Sequence, residues 1–217
     1  MNRLTLVIGN KNYSSWSLRA WLALRQSGAA FDELRIPLDT ATTRAQILKQ
    51  SPAGTVPVLH DGGFTVWESL AICEYAAERF PTAGLWPDDA AARAHARAVS
   101  AEMHAGFATL RSAMPMNCRA RRPGKGRAPG VEDDIARIVA IWRECRETFG
   151  DGGDMLYGRF SIADAMYAPV VSRFVTYGVA LDAVAEAYVD AVFALPAMTE
   201  WLAAARVETE RIEREEI

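Results

Sequence analysis

Apolar and polar positions follow two different rhythms in this chain, one in the first eighty residues and another in the rest. Leu4 to Ile8 is an apolar run of strand length, and from Ser15 to Ser27 the residues Leu18, Trp21 and Leu22 share one helical stripe that Gly28 ends. A second strand is predicted near Glu33 to Pro37, completing a β-α-β unit, and a polar stretch with a short helix around Thr43 to Lys49 follows. Val56 to His60 and Phe64 to Trp67 then read as strands joined by Asp61-Gly62-Gly63, a hairpin turn signal. A helix from Ser69 to Arg79 closes this part and stops at Phe80-Pro81; Thr82 to Pro87, with Gly84 and Pro87, reads as a linker.

From Asp88 onward only the helical period remains. Ala90 to about Met114 carries Val99, Met103, Phe107 and Leu110 at helical spacing, and further helices are predicted at Val131 to Phe149, Ile162 to Tyr177, Ala183 to Phe193 and Pro196 to Ala205. The charged tail from Glu208 is expected to fray. The pattern predicts a small α/β domain over residues 1–81, a linker over 82–88 and an all-helical domain over 89–217, with no internal repeat. Within the helical part, Ser161-Ile162-Ala163-Asp164 has the spacing of a capping box ahead of the apolar run Met166 to Val171. It marks a central helix whose buried start must have its N–H groups satisfied, a structural role for Asp164.

Composition narrows the functional classes. With 217 residues, half of them hydrophobic, the chain can bury a sizeable core, and a net charge of -3 gives no footprint for nucleic acid or an acidic membrane surface. Cys73, Cys118 and Cys145 are odd in number and far apart, so neither a disulfide framework nor a metal site is indicated and a reducing compartment fits. The N-terminal residues enter a strand without a secretory pattern, and no uncharged apolar run reaches membrane-spanning length. A soluble, unexported, cytoplasmic protein is expected.

Candidate chemistry begins at Tyr13-Ser14-Ser15-Trp16-Ser17-Leu18-Arg19, where hydroxyls stand at a helix start. Unpaired backbone N–H groups and the positive end of the helix dipole favour an anion there, so an electron-rich sulfur or oxygen could be held. Serine before a helix also serves as a plain N-cap. Thr55-Val56-Pro57-Val58-Leu59 ahead of the hairpin and Glu68-Ser69 opening the next helix are the other local features; each has an equally ordinary structural reading, a proline at a strand entrance and a capped helix start.

Taken in order and spacing, these segments resemble the glutathione S-transferase superfamily over nearly the whole chain, and the serine run followed by arginine is most similar to the serine-type, zeta-like members. The resemblance implies a thioredoxin-like α/β N-terminal domain followed by an all-α C-terminal domain, glutathione as co-substrate with no other cofactor, and a homodimer. It implies that Val56-Pro57 is a cis peptide and that the Val56 N–H and C=O pair with the cysteinyl backbone of glutathione as an added strand would. It further implies that Ser69 and Glu68 receive the γ-glutamyl carboxylate and ammonium, that Thr55 contributes where relatives place a longer polar side chain, and that Lys49 meets the glycyl carboxylate. Counting back from Arg19 the pattern points to Ser14 as the group at the sulfur, with Ser15 close enough to share the work and the Tyr13 phenol as a competing donor; Arg19 itself reads as structural or interfacial. Trp16 stands where the zeta pattern usually has cysteine, which argues against maleylacetoacetate isomerase activity and against cysteine-dependent thiol transfer.

A serine suffices on energetic grounds. An unperturbed cysteine thiol has a pKa of about 8.5, and lowering it by about two units takes roughly 2.7 kcal/mol. A hydroxyl bonded to a charged group supplies about 1.5 to 3 kcal/mol and a helix N-terminus about 0.3 to 1. The electrophile, expected to be small and hydrophobic, is placed over the first long helix of the second part, where Trp16, Met103, His104, Phe107, Leu110 and Met114 could line a pocket; core packing explains the same spacing. Arg119, Arg121, Arg122, Lys125 and Arg127 fall in a Pro/Gly-interrupted loop that reads as a mobile surface segment or as a lure for anionic substrates. A serine hydrolase is disfavoured, since no G-x-S-x-G elbow occurs. The competing accounts are a non-catalytic glutathione or hydrophobic-ligand binding protein and a zeta-type glutathione-dependent isomerase.

Overall fold

The computed structural model describes residues 3–217, and in it the alternation along β1 (Leu4–Ile8) decides how the sheet is covered. Leu4, Leu6 and Ile8 join the main core with α1 (Ser15–Gln26) and α3 (Ser69–Arg79), while Val7 points the other way, into a small cluster with Ile36, Ile47 and Val58. Ile47 comes from α2 (Thr43–Leu48), which covers that second face. The sheet order is β2-β1-β3-β4, with β2 (Phe31–Arg35) parallel to β1 and β3 (Val58–Asp61) and β4 (Phe64–Trp67) antiparallel to their neighbours.

Two strands begin elsewhere than their apolar runs suggest. β2 starts at Phe31, because the parallel register sets Leu4 opposite Phe31, whose ring meets Trp21 edge-on at 6.5 Å. β3 starts at Val58, because Val56-Pro57 is a cis peptide and a proline has no N–H for the ladder.

The remainder is helical: α4 (Ala90–Ala105), α5 (Ala108–Ala113), α6 (Val131–Phe149), α7 (Ile162–Tyr177), α8 (Ala183–Ala194) and α9 (Pro196–Val207). Thioredoxin-like α/β and all-α parts are thus both present. The long helix expected from Ala90 to Met114 is broken: Phe107 takes a left-handed φ of 57°, and a Cβ on Gly106 would lie 2.8 Å from the Glu102 carbonyl oxygen. Apolar spacing hides this break because Met103 before it and Leu110 after it both reach the core.

Helix α7 is the central post. All but one of its residues are buried, and Trp142 of α6 packs its indole among Tyr167, Phe174 and Tyr188. The start of α7 is held by Asp164, whose carboxylate accepts from the Ser161 N–H at 2.8 Å, the Ser161 hydroxyl at 3.0 Å and the Leu156 N–H at 3.1 Å. Burial lifts this carboxyl to about 6 against the downward pull of those donors.

The last ten residues are folded back, which corrects the expectation that they fray. The Glu208 carboxylate accepts from the Lys11 and Asn12 N–H groups at 2.8 and 2.9 Å, and Ile212 is buried. The basic loop supplies the other half of this attachment. Arg119 donates to the Glu208 and Glu210 carbonyls and Arg122 pairs with Glu216, while the Arg122 and Gly124 N–H groups bond the Thr176 and Tyr177 carbonyls at the end of α7. The loop is therefore a clasp for residues 208–217, not a loose surface segment.

Candidate active site

Helix α1 begins at the mouth of a cleft of about 540 Å³ lined by Ser14, Ser15 and Trp16 from the α/β part and by Arg111, Met116 and Arg173 from the helical part. Ser14 is the N-cap; its oxygen lies 3.4 Å from the Ser17 N–H and its hydroxyl donates to Ser17 Oγ at 2.7 Å. Ser17 Oγ in turn accepts the Gly9 N–H at 3.0 Å. In a hydroxyl pair either member can donate, so reversing the Ser14–Ser17 bond frees the Ser14 proton for a ligand. Ser15, the first residue of α1, opens on the same cleft. Tyr13 lines it too, but its phenol donates to Glu216 Oε1 at 2.6 Å and accepts from Arg119 at 2.9 Å. Burial, followed by the bond to Glu216, pushes that phenol above its ordinary range.

An adjoining cavity of about 310 Å³ is lined by Trp16, Thr55, Val56, Pro57, Glu68, Ser69, His104 and Arg111. Val56 lies outside both ladders of β3, leaving its N–H and C=O unused by the sheet. At the start of α3, the Glu68 carboxylate caps the Leu70 and Ala71 N–H groups at 3.1 Å and faces His104 Nε2 at 3.3 Å. Ser69 is buried and its hydroxyl has no partner. A buried hydroxyl without a partner costs about 1 to 3 kcal/mol, a cost removed by any ligand that accepts from it.

Two arginines, Arg111 and Arg173, line the main cleft, and a third lies beneath its Trp16 wall. Arg19 is fully buried beneath Trp16, its guanidinium 4.1 Å from the ring centroid, with Nε donating to the Met166 carbonyl and both terminal nitrogens unpartnered. Arg173 of α7 donates through Nε to the Met114 carbonyl and has Nη1 unpartnered, and the Arg111 guanidinium lies 5.3 Å from the centroid of the Trp16 ring. Burial first, then mutual repulsion, lowers Arg19 to about 9 and Arg173 to about 10. The protein's own thiols offer no alternative nucleophile: burial pushes Cys118 up to about 11 and Cys145 up to about 12, and raises Cys73 further. Among the described residues no group of His, Cys, Asp and Glu could hold a metal ion, and no helix is long and apolar enough to cross a membrane.

Of the residues singled out from sequence, Ser14, Ser15, Trp16, Thr55, Val56, Pro57, Glu68, Ser69 and His104 come together around these two cavities. Met103, Phe107 and Met114 do not; they are buried in the core, because the break at Gly106 turns α5 and the segment after it toward the cleft in their place. Lys49 is exposed at the end of α2 and lines neither cavity. Arg111, Ser112, Met116 and Arg173 were missed. For Arg173 a signal existed, since a lone cation in an otherwise apolar helix is rarely buried without a task.

The sequence matches the family descriptions "Glutathione S-transferase, N-terminal domain" over residues 13–79 and "Glutathione S-transferase, C-terminal domain" over residues 128–204. A maleylacetoacetate isomerase of Pseudomonas aeruginosa is 30% identical over 179 residues, 78% of this chain and 82% of that one. A dichloromethane dehalogenase of Methylorubrum extorquens is 47% identical over 58 residues, which span 26% of this chain and only 20% of the dehalogenase. Among solved structures, a Burkholderia glutathione transferase homolog with bound glutathione superposes with a TM-score of 0.71 at 24% identity, covering 94% of this chain and 98% of its own. With the serine-bearing α1, the cis Val56-Pro57 turn and the Ser69 helix start set around two adjoining cavities, the chain belongs to the glutathione S-transferase superfamily, on its zeta-like side.

Proposed function

We propose that the protein is a glutathione transferase that holds the glutathione thiol as a thiolate at the start of α1 for attack on a small electrophile. One observation carries this: the N-termini of α1 and α3 open on adjoining cavities that share Val56 as a wall. That arrangement suits an extended tripeptide. Its γ-glutamyl carboxylate would take the unpartnered Ser69 hydroxyl, its ammonium Glu68, its cysteinyl backbone Val56, and its sulfur Ser14 with Ser15 beside it. The thiol proton leaves to water and the sulfur then displaces a leaving group or adds to an activated double bond.

Arg111 and Arg173 alter the expected second substrate. Trp16 and Met116 offer apolar surface, but two cations in the same cleft favour an electrophile that carries a carboxylate or carbonyl over a purely hydrophobic one. The same pair favours a second reading, glutathione-dependent isomerisation, in which sulfur adds to a double bond, the adduct rotates and sulfur departs. The Pseudomonas relative is named a maleylacetoacetate isomerase. We place the enzyme in the cytoplasm and read it as a homodimer, for which the exposed Phe64 and Trp67 of β4 supply an apolar edge.

Ultraviolet titration of bound glutathione tests the central point. The thiolate should form about two pH units below the free thiol and be present at neutral pH; titration at the free value would overturn the proposal. Retention of glutathione as thiolate, without product from any carboxylated or neutral electrophile, would favour a binding protein instead.

A further inference from the structure

Residues 208–217 bring an acidic side chain into the cleft. Glu208 ties the segment to Lys11 and Asn12, Tyr13 and Asn117 bond Glu216 at 2.6 and 3.0 Å, and Arg122 clasps the same carboxylate. Between these anchors Glu215 is left on the wall of the main cavity. It is the one carboxylate among the residues that line it, sharing the space with Arg111 and Arg173. The Glu215 side chain is 26% exposed, and its hydrogen-bond partner is its neighbour Arg214 at 3.4 Å. Neither arginine bonds to it directly, and Arg173 Nη1 stays unpartnered. The charge is felt all the same: burial and Arg111 lower Arg173, and Glu215 opposes them.

Glu215 is thus held near the arginines by its flanking anchors without filling their donors. Arg111 Nη1 donates to the His104 carbonyl and Arg173 Nε to that of Met114, while Arg173 Nη1 remains open to a ligand anion, but that anion must enter beside a fixed negative charge. We propose that Glu215 is a specificity-determining residue, an internal carboxylate that weakens the pull of Arg111 and Arg173 on anionic electrophiles and so limits which of them the cleft retains. This rests on the reading of the cleft as a glutathione site with an arginine-lined place for the second substrate. Glu215 selects by charge and leaves size selection to Trp16 and Met116.

The test uses two glutathione conjugates of equal size, S-(3-carboxypropyl)glutathione and its neutral amide, S-(3-carbamoylpropyl)glutathione. Both carry the tripeptide, so binding does not depend on turnover. The ratio of their affinities, measured by calorimetry at low ionic strength, is compared in the wild type, Glu215→Gln and Arg173→Met. Removing one like charge in a partly solvated cleft should raise the preference for the carboxylate about five- to tenfold in Glu215→Gln, and less in high salt. Arg173→Met should lower it. An unchanged ratio in Glu215→Gln, with the loss in Arg173→Met still seen, overturns the role of Glu215 and leaves the arginine pocket standing. An unchanged ratio in Arg173→Met overturns the arginine pocket and the inference with it.

Discussion

Replacing Ser14 with alanine is expected to cut turnover at neutral pH by about ten- to a hundredfold, because the hydroxyl bond to a charged sulfur is worth about 1.5 to 3 kcal/mol. The loss should depend on pH in a defined direction. A donor to the thiolate lowers the thiol pKa, so removing it raises that pKa by about one to two units. The mutant should therefore recover activity as the solution is made alkaline, the acid limb of its kcat/KM profile shifted to higher pH than that of the wild type, while glutathione affinity, which the proposal assigns to Val56 and Ser69, should change little. Ser15→Ala should show a smaller shift of the same sign. Tyr13→Phe separates the donors: with its phenol engaged by Glu216 and Arg119, it should leave the thiolate where it is. A Ser14→Ala enzyme with an unmoved acid limb would exclude the assignment.

Asp164→Ala should produce the largest loss of stability. Its buried carboxylate satisfies the Ser161 N–H, the Ser161 hydroxyl and the Leu156 N–H, and alanine leaves the two backbone donors buried with nothing to accept from them. At about 1 to 3 kcal/mol for each stranded donor, the cost is about 2 to 6 kcal/mol, a large part of the 5 to 15 kcal/mol that a typical domain has. For a chain of this size each kcal/mol moves the thermal midpoint by about 2 to 4 °C, so a fall on the order of 10 °C is expected by calorimetry. Because α7 also carries Arg173 and the Met166 carbonyl that holds Arg19, partial unfolding at its start should loosen the cleft before the whole protein melts. A midpoint within about 1 °C of the wild type would show that water replaces the carboxylate at no cost.

Local signals explain what the sequence disclosed. The strand and helix rhythms of the first eighty residues, the capping box at Ser161 and the ends of α3, α6 and α7 follow from periodicity and from capping, and the structure has these elements, with β2 beginning two residues earlier and β3 two residues later than the apolar runs suggest. The serine-bearing start of α1 and Glu68-Ser69 stand out in the sequence because an anion site at a helix N-terminus needs particular residue types at one point in the chain, and the structure sets them on adjoining cavities. The rest depends on distance partners. That Met103 is core while Arg111 lines the cleft turns on a left-handed residue at Phe107, which no apolar period reports. The clasp between Arg119, Arg122 and residues 208–217 joins two charged stretches that each look merely solvated when read alone. Charge runs disclose their partners only in three dimensions.

The Glu208 carboxylate and the Lys11 and Asn12 amides that it ties are 197 and 196 positions apart along the chain. During synthesis the loop leading into Ser14 leaves the ribosome early, yet it must wait for almost the entire chain before its anchor emerges. A nascent or truncated polypeptide ending before Glu208 would have its strands and its serines without this tie on Lys11 and Asn12, so the braced form of that loop belongs to chains carried past that residue.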